Sequence, residues 1–449
     1  MKRPRYAEYR DSGVDWLGEV PAHWGVDRLK WSVEGCVNGI WGAEADGGDD
    51  DLVCARVADF DRIALRVDIS APTLRAITPS ERNSRLLRRG DLLLEKSGGG
   101  ALQPVGAVVQ FDHDIAAVTS NFVARMRVNE DYDSRFLAYL HAHLYAGRVN
   151  IRSIKQTTGI QNLDSQAYLD ERVCYPPLDE QRAIAAFLDR ETTRIDALIA
   201  TKRRFLALLA EKRAALISHA VTCGLDPDVP LKESGVQWFA RIPAHWQIMP
   251  MKRRLQWVTS GSRGWAAHYS DEGSLFIRIG NLTRTGIDLD LSDVQFVDPP
   301  ENSEGERTAV EPGDLLLSIT AFLGSVAVVT DVGQAYVSQH VALARPISQI
   351  VDSRWLAYCL FSDAGKRQME TAGYGGTKVQ LGLDDVKEIV VPIPPRQEQE
   401  QIAHFLDEQT ADLGEGKRAA EAMIECLSEY RHALVMSAVT GRWDVGAAA

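Results

Sequence analysis

The 449-residue chain lacks the sequence features of several large protein classes. Its six cysteines include no C-x-x-C pair and no histidine at metal-ligand spacing, which argues against a zinc site and a disulfide framework. No run of 18 or more apolar residues occurs, and no apolar core of a secretion signal follows the basic N-terminal residues. These absences predict a cytoplasmic protein that neither crosses a membrane nor binds a structural metal.

The chain also has fewer basic residues than acidic ones. Lys and Arg together number 50 against 62 Asp and Glu, a formal net charge of −12. A chain that held nucleic acid by bulk charge would be basic, so any such contact must be local or shared with a partner. The length and the 45% hydrophobic content are sufficient for two or three domains.

Catalytic motifs are missing as well. The segment 298–301, DPPE, resembles a methyltransferase tetrapeptide but lacks its aromatic residue, and it is predicted to be a turn. In 373–378, GYGGTK, the glycines and the lysine do not follow the order of a phosphate-binding loop. Asp91 and Glu95 do not have the spacing of a metal-dependent nuclease. The chain therefore has no identifiable catalytic centre.

Internal repetition is the strongest signal in the sequence. SGVDWLGEVPAHW at 12–24 returns as SGVQWFARIPAHW at 234–246, a shift of 222 residues. PPLDEQRAIAAFLD at 176–189 returns as PPRQEQEQIAHFLD at 394–407, a shift of 218. GDLLL, SNFVA/SQHVA and DSRFLAYL/DSRWLAYC recur between these anchors, whereas similarity elsewhere is weak. Each half keeps its scaffold while its interior differs.

Each half divides into a mixed region and a helix. Residues 25–175 and 247–393 carry short β-type runs punctuated by Gly, Asp, Asn and Pro. His141 and His143 lie on a predicted helix at a two-residue step, which places them on different faces and predicts surface positions. Residues 178–222 and 396–440 contain no proline and predict one long helix in each half.

The two long helices share a heptad pattern. The predicted helix seam comprises Leu188, Ile195, Leu209 and Leu216 in the first helix and Leu406, Leu413, Leu427 and Leu434 in the second. A two-fold relation between the halves would make the helices antiparallel partners. The alternative is that both are ordinary core helices of one large domain. Gly414 and Gly416 weaken the second helix locally for no reason visible in the sequence.

The repeated openings, GDLLL strands and Pro-Pro-x-x-x-Gln helix starts together resemble the specificity (DNA-recognition) subunits of type I restriction-modification systems, over almost the whole chain. The resemblance implies an α+β fold with two similar mixed α/β target-recognition domains, separated by two long antiparallel helices that form a coiled coil in a pseudo-two-fold tandem repeat. Each domain would read one half of a split DNA sequence, and the helices would act as a ruler. The expected domain boundaries are 1–175, 176–224, 225–393 and 394–449.

The same resemblance implies that the chain is a non-catalytic subunit that binds double-stranded DNA. Its expected partners are two methyltransferase subunits, which would carry S-adenosylmethionine, and ATP-dependent restriction subunits where the system also cleaves. No cofactor or metal is expected on this chain. Two alternatives remain open: a fused methyltransferase or nuclease, which the missing motifs oppose, and a decoy that occupies methyltransferase subunits without reading DNA.

Candidate DNA-contacting residues lie in polar, Gly-rich segments that differ between the halves, where side chains could reach base edges and phosphates. Their glycines would let the backbone approach a phosphate. The candidates are Asn38, Trp41, Lys96, Ser97, Lys155, Gln156 and Thr157 in the first half, and Ser262, Arg263, Trp265, Ser318, Thr320, Tyr374, Thr377 and Lys378 in the second. For each residue the alternative is an exposed turn, and for Trp41 and Trp265 it is packing under the loop.

We expect the isolated chain to bind DNA weakly, because its net charge of −12 cannot supply the phosphate attraction that dominates DNA affinity. Electrophoretic titration of a target duplex with and without methyltransferase subunits measures this, and a duplex with scrambled half-sites is the control. Tight, sequence-specific binding by the chain alone would contradict the expectation.

Overall fold

The computed structural model describes residues 4–100, 102–156, 159–261, 263–299, 306–373 and 379–446. These residues form eight α-helices: α1 (Pro79–Arg82), α2 (Ser134–Ala146), α3 (Ser165–Leu169), α4 (Leu178–Cys223), α5 (Ser353–Phe361), α6 (Asp363–Ala372), α7 (Leu383–Glu388) and α8 (Arg396–Val439). The two predicted long helices are confirmed as α4 and α8. Within the described residues, no helix is both long and apolar enough to cross a membrane.

Short strands fill the rest of both halves. The first half contains β1 (Tyr9–Asp11), β2 (Glu19–Pro21), β3 (Gly25–Arg28), β4 (Val33–Asn38), β5 (Ala43–Glu44), β6 (Asp51–Ala55), β7 (Phe60–Asp61), β8 (Arg66–Val67), β9 (Leu74–Ala76), β10 (Leu92–Glu95), β11 (Ser97–Gly98), β12 (Val108–Gln110), β13 (Ala117–Thr119), β14 (Val123–Val128), β15 (Ile154–Gln156), β16 (Gln161–Leu163) and β17 (Arg172–Tyr175). The second half contains β18 (Leu231–Val236), β19 (Phe239–Pro243), β20 (Gln247–Pro250), β21 (Leu255–Ser260), β22 (Tyr269–Ser270), β23 (Ser274–Ile277), β24 (Phe296–Val297), β25 (Leu315–Ser318), β26 (Val326–Val328), β27 (Ala335–Val337), β28 (Val341–Pro346) and β29 (Val390–Ile393).

The sequence repeat is also a repeat of sheet topology. The antiparallel order β4-β14-β10-β12 in the first half recurs as β21-β28-β25-β26 in the second. A second sheet in each half contains one parallel pair, β6 with β13 and β23 with β27. The GDLLL motif forms the inner strands β10 and β25, whose leucines are fully buried because another strand lies on either side and both faces are covered.

The chain divides into two compact units. The first comprises residues 1–202 and 422–449, and the second comprises residues 203–421. Each long helix therefore contributes one part to each unit. In both halves a Pro-Pro pair separates the last strand from the long helix, because proline cannot continue the ladder but suits the start of a helix.

In the first unit, the beginning of α4 packs antiparallel to the end of α8. Cys174, just before α4, donates through Sγ to the carbonyl oxygen of Val439 at 3.4 Å. Further along α4, Asp196 accepts from Nε of Arg431 at 2.9 Å. Apolar residues of both helix segments, including Leu188 and Leu434, share one buried core with α2.

In the second unit, the end of α4 packs antiparallel to the beginning of α8. A Cβ added at Gly416 would lie 3.7 Å from Cδ1 of Leu209, and one at Gly224 would lie 3.5 Å from Oε1 of Glu398. The antiparallel helix pair of the expected fold is thus present in each unit. Of the predicted seam, Leu188, Ile195, Leu406 and Leu434 are buried, and Leu209, Leu216, Leu413 and Leu427 are half-buried.

The repeated Phe-Leu-Asp sequence joins each mixed region to its helix. Asp189 of α4 accepts from Arg135 Nε and from the Tyr139 hydroxyl, both at 2.7 Å and both on α2. Asp407 of α8 holds the equivalent arginine and tyrosine of α5. Charge-assisted bonds from two donors explain why an aspartate stands at this place in both halves.

The PAHW segments form hydrogen bonds with residues at the starts of the long helices. Trp24 donates from Nε1 to Oε1 of Glu180 at 3.1 Å, and Nε2 of His23 lies 2.9 Å from Oε2 of the same residue. Glu398 has the same two partners in the second half. The neighbouring Gln181 is buried and accepts from the backbone N–H of Asp133 at 2.8 Å. These repeated residues hold the junction between helix and mixed region.

The predicted surface position of His141 is wrong, whereas His143 is half-buried. His141 is fully buried, its Nδ1 lies 2.7 Å from the Tyr168 hydroxyl, and burial lowers its pKa to about 4. Burial likewise lowers the pKa of His143 to about 4, and its ring packs near Trp16. The facing argument fails because residues 136–141 are all buried, so α2 is covered on nearly every side.

Replacing Asp407 by alanine removes the acceptor of Arg354 and of the Tyr358 hydroxyl, each bonded at 2.6 Å. Because two partly buried donors lose their partner, we expect the free energy of unfolding to fall by about 2–3 kcal/mol. Urea denaturation measures the change. Asp412→Ala, at an exposed position of the same helix, is the matched control and should have little effect. Equal stability of the two variants would show that the Asp407 contacts contribute nothing.

Candidate nucleic-acid interface

Three predicted segments of the first half meet at one small sheet. β11 and β15 both pair antiparallel with β16, so that Ser97 and Lys155 lie on either side of Asn162. Lys96 donates from Nζ to Oδ1 of Asn38 at 2.6 Å, which joins the end of β4 to the group. The first surface is defined as the described candidates brought together here: Asn38, Trp41, Lys96, Ser97, Lys155 and Gln156.

Hydrogen bonds hold these side chains in place. Ser97 donates from Oγ to Oδ1 of Asn162 at 2.6 Å. Lys155 pairs with Asp164 at 2.7 Å, yet 73% of its side chain is exposed. Gln156 is exposed as well. The ordered strands therefore present one lysine and one amide to solvent, groups that can bind a phosphate and a base edge respectively.

A cavity of about 480 Å³ lies beside this sheet, lined by residues that include Trp41, Gly98 and Phe122. Trp41 is 40% exposed and Phe122 is 44% exposed. The Arg75 guanidinium carbon lies 4.6 Å from the centroid of the Trp41 ring, and Arg75 Nε donates to the Trp41 carbonyl at 3.0 Å. Two aromatic faces beside a cation can hold a planar base and its phosphate.

One carboxylate lines the same cavity. Glu95 is only 2% exposed and accepts from Nη2 of Arg62 at 2.8 Å. Burial raises the pKa of the Glu95 carboxyl, although the Arg62 charge acts in the opposite direction. Because this carboxylate is neutralised by its partner, it does not give the cavity an unpaired negative charge.

The second unit carries a surface at the equivalent positions. Thr320, which aligns with Ser97, lies 3.0 Å through Oγ1 from Nδ1 of His340. Its segment pairs with residues 379–381 through Ala321 and Leu381, much as β11 pairs with β16. Phe322 is 60% exposed, with the Arg284 guanidinium carbon 3.7 Å from its ring centroid. The second surface is defined as Thr320, Phe322, Gln339 and His340, together with Arg284 beside Phe322.

Two second-half candidates are corrected by their burial. Ser318 is fully buried and donates from Oγ to the Phe322 carbonyl at 2.6 Å. Trp265 is 6% exposed and stacks on Phe276 with ring centroids 5.7 Å apart, so the packing alternative holds. Neither side chain is available to a ligand. Arg263 and Thr320 stay candidates, whereas Thr157, Ser262, Tyr374, Thr377 and Lys378 lie outside the described residues.

Two glycines of these segments are required by the packing of the protein backbone itself. A Cβ at Gly39 would lie 2.1 Å from the carbonyl oxygen of Ser120, and one at Gly261 would lie 1.9 Å from that of Val337. Both distances are far below contact, so only glycine allows this close approach of backbone to backbone. Gly39 and Gly261 therefore have a structural role, and the approach of a phosphate to these segments stays a prediction.

Sequence reasoning missed Arg75, Asn121 and Phe122 in the first unit and Gln339 and His340 in the second. The last four lie inside the repeated segment SNFVA/SQHVA, at its two internal differences. Differences within a repeated segment could have identified them, because the surrounding match fixes the scaffold. Arg75 had no such signal, since only the pairing of β9 with β5 and β6 brings it to Trp41.

Comparisons with known proteins agree with this architecture. The family model of the type I restriction modification DNA specificity domain matches residues 302–421. The EcoBI type I restriction enzyme specificity subunit of Escherichia coli is 24% identical over 300 residues, 65% of this chain and 62% of that subunit. The MjaVIII specificity subunit of Methanocaldococcus jannaschii is 22% identical over 313 residues, 69% of this chain and 70% of that subunit.

The fold has a counterpart among solved structures. A chain from a study of complex assembly and conformational transition of the type I R-M system superposes with a TM-score of 0.69 at 18% identity, covering 94% of this chain and 98% of that one. Together the fold and its two surfaces define a duplicated α+β protein built on long helices. The chain is similar to type I restriction enzyme specificity subunits, and its residues 302–421 match the DNA specificity domain of that family. It spans 62% of the length of the EcoBI subunit.

Gly39→Ala is expected to lower the free energy of unfolding by about 1–3 kcal/mol, because the added methyl overlaps the Ser120 carbonyl and displaces the end of β4. Gly100→Ala is the matched control, since a Cβ there meets nothing within 4 Å. Thermal and urea unfolding of both variants measure the difference. If Gly39→Ala were as stable as the control, the close approach would not be what requires glycine.

Proposed function

We propose that this chain is the DNA-reading subunit of a type I restriction-modification complex, in which each unit reads one half of a bipartite target. The observation that carries the proposal is the pairing of a repeated scaffold with unlike surfaces. Gly99 and Phe322 stand at equivalent positions of the repeat, as do Phe122 and His340. Two surfaces of the same construction but different shape suit two different half-sites.

Each surface would contact both the base edges and the phosphate backbone of DNA. Ser97, Gln156, Thr320 and Gln339 carry the hydroxyl and amide groups that hydrogen-bond to base edges in the major groove. Lysines and arginines of the same surfaces would bind phosphates and set the register of the protein on DNA. The exposed Trp41 and Phe122 would make apolar contacts with bases. Each surface thus holds both kinds of group that sequence-specific binding needs.

Partner subunits would catalyse the methylation and cleavage of DNA. Two methyltransferase subunits would carry S-adenosylmethionine and transfer the methyl group, and restriction subunits would join where the complex cleaves DNA. The net charge of −12 supports this division, because a partner would then provide the general attraction to phosphate. The decoy alternative finds no support in the comparisons. The domain boundaries and the ruler role of the helices stay predictions.

Gln156→Ala tests the assignment of one surface to one half-site. Loss of an amide contact to a base should weaken binding to the natural target by about 10- to 100-fold and relax specificity at one half-site only. Electrophoretic titration of the complex with its partner subunits measures the affinity, and genome-wide mapping of methylated adenines in cells that carry those subunits measures the specificity. Gln401→Ala, at an exposed position of α8, is the matched control and should leave the pattern unchanged. Equal loss at both half-sites would contradict the proposal, and an unchanged pattern would remove Gln156 from the base contacts.

A further inference from the structure

Two arginines at equivalent positions of the repeat occupy the same structural place. RAALISHAV at 213–221 returns as RHALVMSAV at 431–439, so Arg213 of α4 aligns with Arg431 of α8. Arg431 donates from Nη2 to the Ile63 carbonyl at 2.6 Å, and Arg213 donates from Nη1 to the Thr285 carbonyl. Each arginine therefore joins its long helix to a loop of the mixed region in its own unit.

The two arginines differ in their acidic partner. Arg431 forms a two-point ion pair with Asp196, with Nε at 2.9 Å from Oδ1 and Nη2 at 3.2 Å from Oδ2. The residue equivalent to Asp196, 218 positions later, is Gly414. Within the described part of the chain Arg213 has no ion pair, and its buried Nε has no hydrogen-bond partner. The first unit therefore shows which group is missing beside Arg213, namely a carboxylate.

A cavity of about 480 Å³ is present in the second unit where that carboxylate would lie, and both Arg213 and Gly414 line it. A Cβ at Gly414 would meet only Nη1 of Arg418, at 3.7 Å. The position is thus open space beside the Arg418 guanidinium, in the cavity that Arg213 also lines. Asp288, whose charge also acts on Arg213, is held by Arg354 at 2.8 Å.

The lining of this cavity combines positive charge with apolar walls. Its basic residues are Arg213, Arg284, Lys366, Lys417 and Arg418. Only Asp363 and Glu421 oppose them, and Glu421 lies 3.8 Å from Lys417. Leu209, Leu413 and Phe361 form apolar walls. A cavity of this size is within the range of small-molecule sites, and its character suits an anion with an apolar body.

We propose that this cavity binds a small organic carboxylate. Its carboxylate would take the place beside Arg213 that the Asp196 carboxylate has beside Arg431, and its apolar body would lie against Leu209, Leu413 and Phe361. Arginine favours this arrangement because its planar guanidinium offers paired donors to a carboxylate. Arg284 of this cavity also stacks on Phe322 of the second surface. The proposal nevertheless rests on Arg213 and Gly414, which belong to neither surface, so it does not depend on DNA reading.

Benzoate is the probe, and inorganic phosphate is the competing anion. Ligand-observed NMR and thermal unfolding of the full chain should show saturable binding of benzoate. Arg213→Gln should weaken it by at least about tenfold, the loss expected for one charge-assisted hydrogen bond. Gly414→Asp should abolish it, because the new carboxylate restores the ion pair of the first unit and fills the site. Gly414→Ala, which changes helix propensity without adding charge, should keep it.

The first unit supplies a converse test within the same chain. Asp196→Gly removes the carboxylate from Arg431 and should create a second benzoate site. If this variant does not fold, the contrast between Gly414→Asp and Gly414→Ala still decides the matter. Benzoate binding that survives Gly414→Asp, or no saturable binding by the natural chain, would overturn the proposal. Tighter binding of phosphate than of benzoate would overturn the carboxylate class.

Discussion

An amphipathic helix cannot leave its apolar face in water, and this constraint organises the whole protein. In each unit, the beginning of one long helix packs against the end of the other, and a mixed region covers their remaining apolar surface. The core of the first unit therefore needs residues beyond 422 as much as those near 180. Each unit is completed by chain segments that are far apart in sequence.

Polar contacts then orient each mixed region on its helices. Three pairs of equivalent residues make the same bonds in both halves. They are Asp189 and Asp407, Glu180 and Glu398, and the buried Gln181 and Gln399. The repeated motifs are thus structural, since each fixes the junction below a surface. The surfaces themselves lie in segments that these bonds leave free to differ, so one scaffold can carry two unlike surfaces.

The sequence predicted the regular elements well and the exposure of single residues poorly. Heptad spacing and the absence of proline predicted α4 and α8, and the GDLLL strands were visible as apolar runs. The polar segment around Ser318 predicts an exposed side chain, yet that side chain is fully buried, and for Trp265 the packing alternative holds. Their burial depends on residues such as Phe276 and Phe322, and no local pattern carries that information. The same lack of context applies to Gly414, because its counterpart Asp196 meets Arg431 only in the folded protein.

The amino-acid order by itself determined the duplication, the two long helices, the strand-rich regions and the absence of catalytic motifs, because these follow from periodicity and local propensity along the chain. Only the tertiary structure decided which loops meet, which glycines separate crossing backbones and which arginine lacks a carboxylate. Those features depend on contacts between segments distant in sequence, as when β16 brings Ser97 and Lys155 to either side of Asn162. Local propensity cannot predict such contacts, because they stabilise the protein only after distant segments have packed together.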